Sequence, residues 1–229
     1  PYLDTPFWGS GNDGAAIAGT TLTEPTTDIR PGSQGSYAAS LQSKKASLMG
    51  IGKFAAGNLF LGEFGGLVGM DGLVNFGRPC SARPVALHGW VKYNCGTIDE
   101  VGKIPSARPD LKKGDNDEGQ ILIAVGNWTA AEYGGSENCP VVVNTKDEST
   151  FIKMDKLQEL PGVIGYGCIT GTNSRAEWTE ETINITYRED MKDAKPKKIV
   201  VSFTPSGYGD YFCGSTDSEM YVDDIVLNY

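Results

Sequence analysis

Histidine is nearly absent: His88 is the only one in 229 residues. A multi-histidine metal site is therefore excluded, and any Ser-His-Asp arrangement would have to centre on that residue. No GxSxG elbow supplies a nucleophile for it, so a surface or hydrogen-bonded role is expected. Basic residues are also scarce, with 20 Lys and Arg against 29 Asp and Glu and a formal charge of −9. Nucleic acid and anionic membrane surfaces both demand clustered cations, so neither is an expected partner. No apolar run approaches the ~18 residues of a spanning helix. The five cysteines show no CxxC spacing, which argues against a zinc site or a redox motif. An odd count leaves at least one thiol free, and Cys168 and Cys213 sit in strand-like surroundings that suit buried, unpaired thiols.

Glycine is what the sequence has in excess, at 30 residues. Glycine supplies positive φ at turns and bulges, so many short strands joined by tight loops are expected. Period-two patterning agrees over 36–41, 57–64, 85–94, 120–126, 162–170, 182–188, 197–204 and 219–228. Pro31-Gly32, Asp71-Gly72, Pro161-Gly162 and Pro205-Ser206-Gly207 punctuate them as turns. Only 147–160 reads as a helix, capped by Asp147. Strands without alternating long helices exclude a parallel α/β sheet and leave an all-β, antiparallel sandwich or barrel. Two stretches, 62–79 and 97–118, read as long loops, and 1–35 as a leading strand and loop of one domain spanning 1–229. The chain opens at Pro1 without Met or a signal-type segment, which carries the expectation of upstream sequence that targets it for export.

The strand VALHGWVKY holds the most chemistry. Alternation points Val85, Leu87, Gly89, Val91 and Tyr93 to a core, and His88, Trp90 and Lys92 to the other face. An aromatic ring flanked by polar donors suits a sugar, whose apolar side packs on the ring while hydroxyls meet the donors. The alternative is a face covered by a loop, with Trp90 as satellite core. Trp8, Trp128 and Trp178 lie in or beside loops and could form a binding rim or pack as satellite core. Glu63, Asp117 and Asp210 are the inward carboxylates from which an acid/base pair would have to come. Asp223-Asp224, inside the apolar strand MYVDDIVL, needs partners: loop N–H groups, an arginine such as Arg78 or Arg83, or a structural calcium ion near Asp223. No other cofactor is expected.

The ordered set PFWGSGN, GNLFLGEF, RPVALHGWVKY, DNDEGQILIAV and VVSFTPSGYGDYFCGSTDSEMYVDDIVLNY resembles the Putative carbohydrate metabolism domain family of Bacteroides-type gut bacteria, from about Trp8 to Tyr229. The resemblance implies a jelly-roll sandwich with a sugar pocket on a concave sheet face. It implies export to the periplasm or outer-membrane surface, as a lipoprotein, and often a preceding immunoglobulin-like domain. At matching positions stand Trp90, Lys92, Asp117 and Asp210, with Trp8 and Asn12 in the first segment. The resulting expectation is a monomeric, glycan-binding accessory domain of a polysaccharide-utilisation system, its ligand held by Trp8, Asn12, His88, Trp90, Lys92, Asp117 and Asp210. A glycoside hydrolase or lyase using paired carboxylates, and a structural or adhesin module without a pocket, are the alternatives.

Overall fold

A computed structural model describes residues 7–48, 51–69 and 71–229. Among these residues the larger sheet has nine strands. Its main path runs β11 (Val141–Asn144), β7 (Asp71–Phe76), β6 (Leu59–Val68), β15 (Lys198–Thr204), β10 (Gly119–Gly126), β12 (Val163–Gly171) and β14 (Thr186–Tyr187). Two short strands join it, β1 (Trp8–Gly9) on β6 and β8 (Arg78–Pro79) on β15. The second sheet has five strands in the order β13 (Arg175–Asn184), β9 (Ala86–Asn94), β16 (Glu219–Asn228), β3 (Ala38–Gln42) and β2 (Thr23–Thr26). A separate hairpin joins β4 (Lys44–Leu48) to β5 (Ile51–Ala55). The β10–β15 and β9–β16 pairs, central to the two sheets, are antiparallel, as an all-β sandwich of jelly-roll type requires.

Alternation builds the layers. Ile121, Ile123 and Val125 of β10 and Ile199, Val201 and Phe203 of β15 point into the sandwich, where they meet Leu87, Val91 and Tyr93 of β9 and Met220 and Val222 of β16. Each such fully buried aliphatic or Phe side chain is worth roughly 1.5–3 kcal/mol of transfer free energy. The intervening residues of β10 and β15 must face outward from the larger sheet. Leu122, Ala124 and Val200 do so, forming a second apolar layer with Trp128, Leu157 and Val163. A third cluster gathers Ile98, Leu111, Val143, Phe151, Tyr211 and Cys213 under the irregular 97–118 stretch.

Three expectations change. The 62–79 stretch is not a loop but largely a hairpin, β6 with β7, and Asp71-Gly72 lies inside it. Its glycines serve the pairing: a Cβ on Gly62 would stand 2.2 Å from the Asn75 carbonyl oxygen, and Gly66 takes φ +117° at a register shift. The helix expected over 147–160 is two short 3₁₀ turns, Glu148–Thr150 and Met154–Glu159, with Lys156 non-helical. Phe151 and Leu157 pack into different clusters, so one straight helix could not bury both, although Asp147 does cap the first turn through the Ser149 N–H. Two short α-helices lie elsewhere, α1 (Asn12–Ala16) and α2 (Ala130–Tyr133). Val85, expected in the core, precedes β9 and is 55% exposed.

Candidate functional site

The outer face of the larger sheet carries a cavity of about 250 Å³. Its floor follows from the same alternation: Phe60 and Phe64 from β6, Gln120 and Leu122 from β10, and Ser202 and Thr204 from β15. Helix α1, Phe54 of β5 and the turn holding Asp210 and Phe212 complete the walls. That turn is anchored on both sides of the carboxylate. Tyr211 packs edge-on against Phe151 at 4.9 Å and donates to Glu148, while Cys213 is fully buried. Phe212 takes φ +58°, a left-handed conformation that a bulky residue adopts only when its surroundings enforce it.

Asp210 therefore hangs from a fixed turn into the cavity. It is half-buried by exposed area because it opens onto the cavity, while the atoms around it are as dense as in an interior. No hydrogen bond or ion pair reaches it from the described residues. Burial alone pushes its carboxyl up to about 6, since the charged form loses water and gains no donor.

The other expected site residues go elsewhere. Asp117 is 0% exposed: one carboxylate oxygen accepts from the Ser206 and Ser218 hydroxyls and the Ser215 N–H, the other from the Glu118 N–H. Burial raises its pKa and these four donors oppose the rise, so it rivets the 205–218 segment and cannot meet a ligand. Asn12 is spent on backbone, donating to Thr23 O at 2.6 Å and accepting from the Leu22 and Thr23 N–H groups. Trp8 lies half-buried against the sandwich core, 6.3 Å between its ring centroid and that of Phe203, and with Asn12 it lines a second cavity of about 460 Å³ between β1, β3 and β16.

His88, Trp90 and Lys92 do share one face, the outer face of the five-stranded sheet, opposite the cavity-bearing sheet. There His88 pairs with Glu180 at 2.5 Å, and the Arg30 guanidinium lies 5.3 Å over Trp90. Lys92 pairs with Asp28, and its ammonium stands 4.8 Å from the Tyr221 ring and 5.7 Å from Trp178. Hydrogen bonds from Lys92 and the Trp178 N–H hold the Asp28 carboxyl below its usual range. The 28–33 segment is tied down over this face by Asp223 on the Arg30 N–H, and by Asp224 on the Arg30 guanidinium and Ser33. The 28–33 segment thus lies against this face through Arg30 and Asp28, while Trp90 joins none of the described apolar clusters. The same bonds answer Asp223-Asp224: the arginine is Arg30, not Arg78 or Arg83. Among the described residues no group of three or more His, Cys, Asp or Glu could hold a metal. Trp128 is 1% exposed, its N–H donating to Pro161 O, and belongs to the second apolar layer rather than a rim.

Of the seven expected residues only Asp210 reaches the cavity over β6, β10 and β15, and the sequence reading missed Phe60, Phe64, Gln120, Ser202 and Thr204. Their signal was present as the out-of-phase positions of GNLFLGEF, QILIAVG and KIVVSFT.

Comparison with known proteins finds the model of a Putative carbohydrate metabolism domain over residues 2–228. No curated protein matches. Among solved structures the fold is similar to one described as a putative glycoside hydrolase from Bacteroides thetaiotaomicron, with TM-score 0.66 and 21% identity, covering 97% of this chain and 62% of that one. A second, described in the same words from Bacteroides vulgatus, gives TM-score 0.60 and 19% identity, covering 96% of this chain and 85% of that one. The chain therefore spans less than two thirds of the first of these proteins, and at these identities the likeness is one of fold.

Proposed function

The chain belongs to the Putative carbohydrate metabolism domain family, and from that premise we propose that it binds the end of a glycan in the cavity over β6, β10 and β15. The observation that carries this reading is the cavity's composition on the sheet's outer face. Phe60 and Phe64 offer apolar surface for the C–H side of a pyranose, while Gln120, Ser202, Thr204 and Asp210 offer donors and acceptors for its hydroxyls. Its 250 Å³ falls just under the roughly 300–1,000 Å³ of small-molecule sites, which suits one ring and not a long chain. Binding is favoured over hydrolysis because Asp210 is the only carboxylate among the described lining residues, whereas glycosidases converge two within about 5–10 Å. Service in a polysaccharide-utilisation system, as an exported and lipid-anchored monomer, is part of the same proposal.

A glycan array with three proteins tests it. Ser202→Trp fills the cavity and should abolish retention, while Trp90→Ala, on the opposite sheet, should leave retention intact. The reverse pattern would move the site to the His88–Trp90–Lys92 face. Reducing ends released from polysaccharide by the wild type, and lost in Asp210→Asn, would replace binding by hydrolysis.

A further inference from the structure

Among the described residues, every other acid withdrawn from water has a partner. Asp117 has four donors, Asp223 accepts two backbone N–H groups, Asp224 holds Arg30, and Glu63 accepts from Ser136 at 2.9 Å. Asp210 is the exception, and it lines the cavity over β6, β10 and β15. An enclosed carboxylate without a partner is costly, and a ligand that neutralises it recovers that cost on binding.

The charged groups near the turn do not supply the neutralisation. Lys53 lies 4.1 Å over the Phe212 ring and pairs with Asp71 at 3.3 Å. Lys103 stands 5.9 Å from the same ring and donates to Thr145 O. Tyr211 next in sequence is committed to Glu148. The lining mixes polar groups, Gln120, Ser202, Thr204 and a Lys53 paired with Asp71, with the rings of Phe60, Phe64 and Phe212, and a Phe face accepts a cation, as the Lys53–Phe212 contact demonstrates within this chain.

Resting on the carbohydrate reading above, we infer that the cavity selects a ring bearing a primary ammonium group, an amino sugar, with Asp210 as its counter-ion. A hydroxyl would give the carboxylate one hydrogen bond and leave its charge enclosed. An ammonium gives up to three donors and cancels the charge. The ligand must then weaken as Asp210 protonates. With its carboxyl near 6, about tenfold of affinity should disappear between pH 7 and pH 5.

Calorimetric titration of the wild type and Asp210→Asn with three probes tests the inference. The probes are a glucosamine oligosaccharide, its fully N-acetylated counterpart and free cyclohexylamine, each at pH 7 and pH 5. The glucosamine oligosaccharide should bind the wild type at least tenfold tighter than the N-acetylated one at pH 7, lose that preference at pH 5, and lose it in Asp210→Asn at both pH values. Circular dichroism confirms that the variant is folded. Equal or tighter binding of the N-acetylated probe, blocked by Ser202→Trp, would overturn the ammonium inference and leave the carbohydrate reading standing. Cyclohexylamine binding as tightly as the oligosaccharide would support Asp210 as an ammonium site and overturn the carbohydrate reading. A preference that survives in Asp210→Asn would overturn the assignment of Asp210.

Discussion

Replacing Asp210 by Asn should make the ligand-free protein more stable at neutral pH, and the size of the gain can be worked from its surroundings. Its carboxyl titrates at 3.8 when solvated and near 6 in the folded chain, because burial disfavours the charge. Between those values the native state binds more protons than the unfolded state, so wild-type stability falls as pH rises from about 4 to about 6. The interval is 6 − 3.8 = 2.2 pH units; at ~1.36 kcal/mol for each, the full loss is about 3 kcal/mol. Cavity water that screens the carboxylate lowers this ceiling. The amide carries no charge and escapes the loss entirely. Urea unfolding followed by far-UV circular dichroism should therefore give nearly equal stabilities for the two proteins below pH 4. A gap in favour of Asp210→Asn should open through pH 5 and level off near pH 7. In thermal scans the plateau corresponds to roughly 2–4 °C per kcal/mol for a chain of this length. Parallel pH profiles, or a variant less stable than the wild type at pH 7, would show that Asp210 has a partner and would remove the basis of the ammonium site.

Asp117→Asn should do the opposite, costing about 2–4 kcal/mol at pH 7, because an amide keeps one acceptor oxygen: if that oxygen serves the Ser206, Ser218 and Ser215 donors, its NH2 is set against the Glu118 N–H, and the charge that strengthened all four bonds is gone; a loss under about 0.5 kcal/mol in urea unfolding would contradict the rivet role. Thiol labelling of the native protein should modify Cys168, which is exposed, and reach Cys139 and Cys213 only after unfolding; rapid native labelling of either buried thiol, mapped by peptide mass, would contradict their packing. Gly62→Val should destabilise the β6–β7 hairpin, since its Cβ would meet the Asn75 carbonyl oxygen at 2.2 Å; hydrogen exchange should show faster exchange across 59–76, and unchanged protection there would refute the close-approach argument.

Much of the fold was legible because its signal is local. The alternation of QILIAVG and KIVVSFT specifies two faces without knowledge of any partner strand, and Ile123, Val125, Val201 and Phe203 are buried as that pattern requires. The 62–79 hairpin was not legible, because glycine density signals loops on average. Here it reflects the close approach of Asn75 to Gly62, a contact across the hairpin that the glycines themselves do not announce. The 147–160 segment fails as a helix for a similar reason: Phe151 and Leu157 are claimed by separate clusters built from distant strands.

The site was less legible than the fold, and the cause is the sandwich itself. Each strand commits one face to the shared core, and the fate of its other face depends on what a remote connection lays over it. On the outer face of β9 the sequence showed His88, Trp90 and Lys92 aligned, but Asp28 and Arg30, some 60 residues earlier, meet Lys92 and Trp90, and Glu180 of β13 meets His88. Asp117 read as an inward carboxylate available to a ligand, while its four donors include three from residues 206, 215 and 218. What remains local is the supply of donors beside each turn acid. Asp147 has Ser149 two residues on and is bound by it, through both the N–H and the hydroxyl. Asp210 has Phe212 in that place, with Tyr211 and Cys213 turned away into an apolar cluster. A turn that anchors itself through apolar neighbours and gives its carboxylate no hydroxyl leaves that charge to be satisfied by something other than the chain, and of the seven residues first expected to bind, the one so placed is the one that faces the cavity.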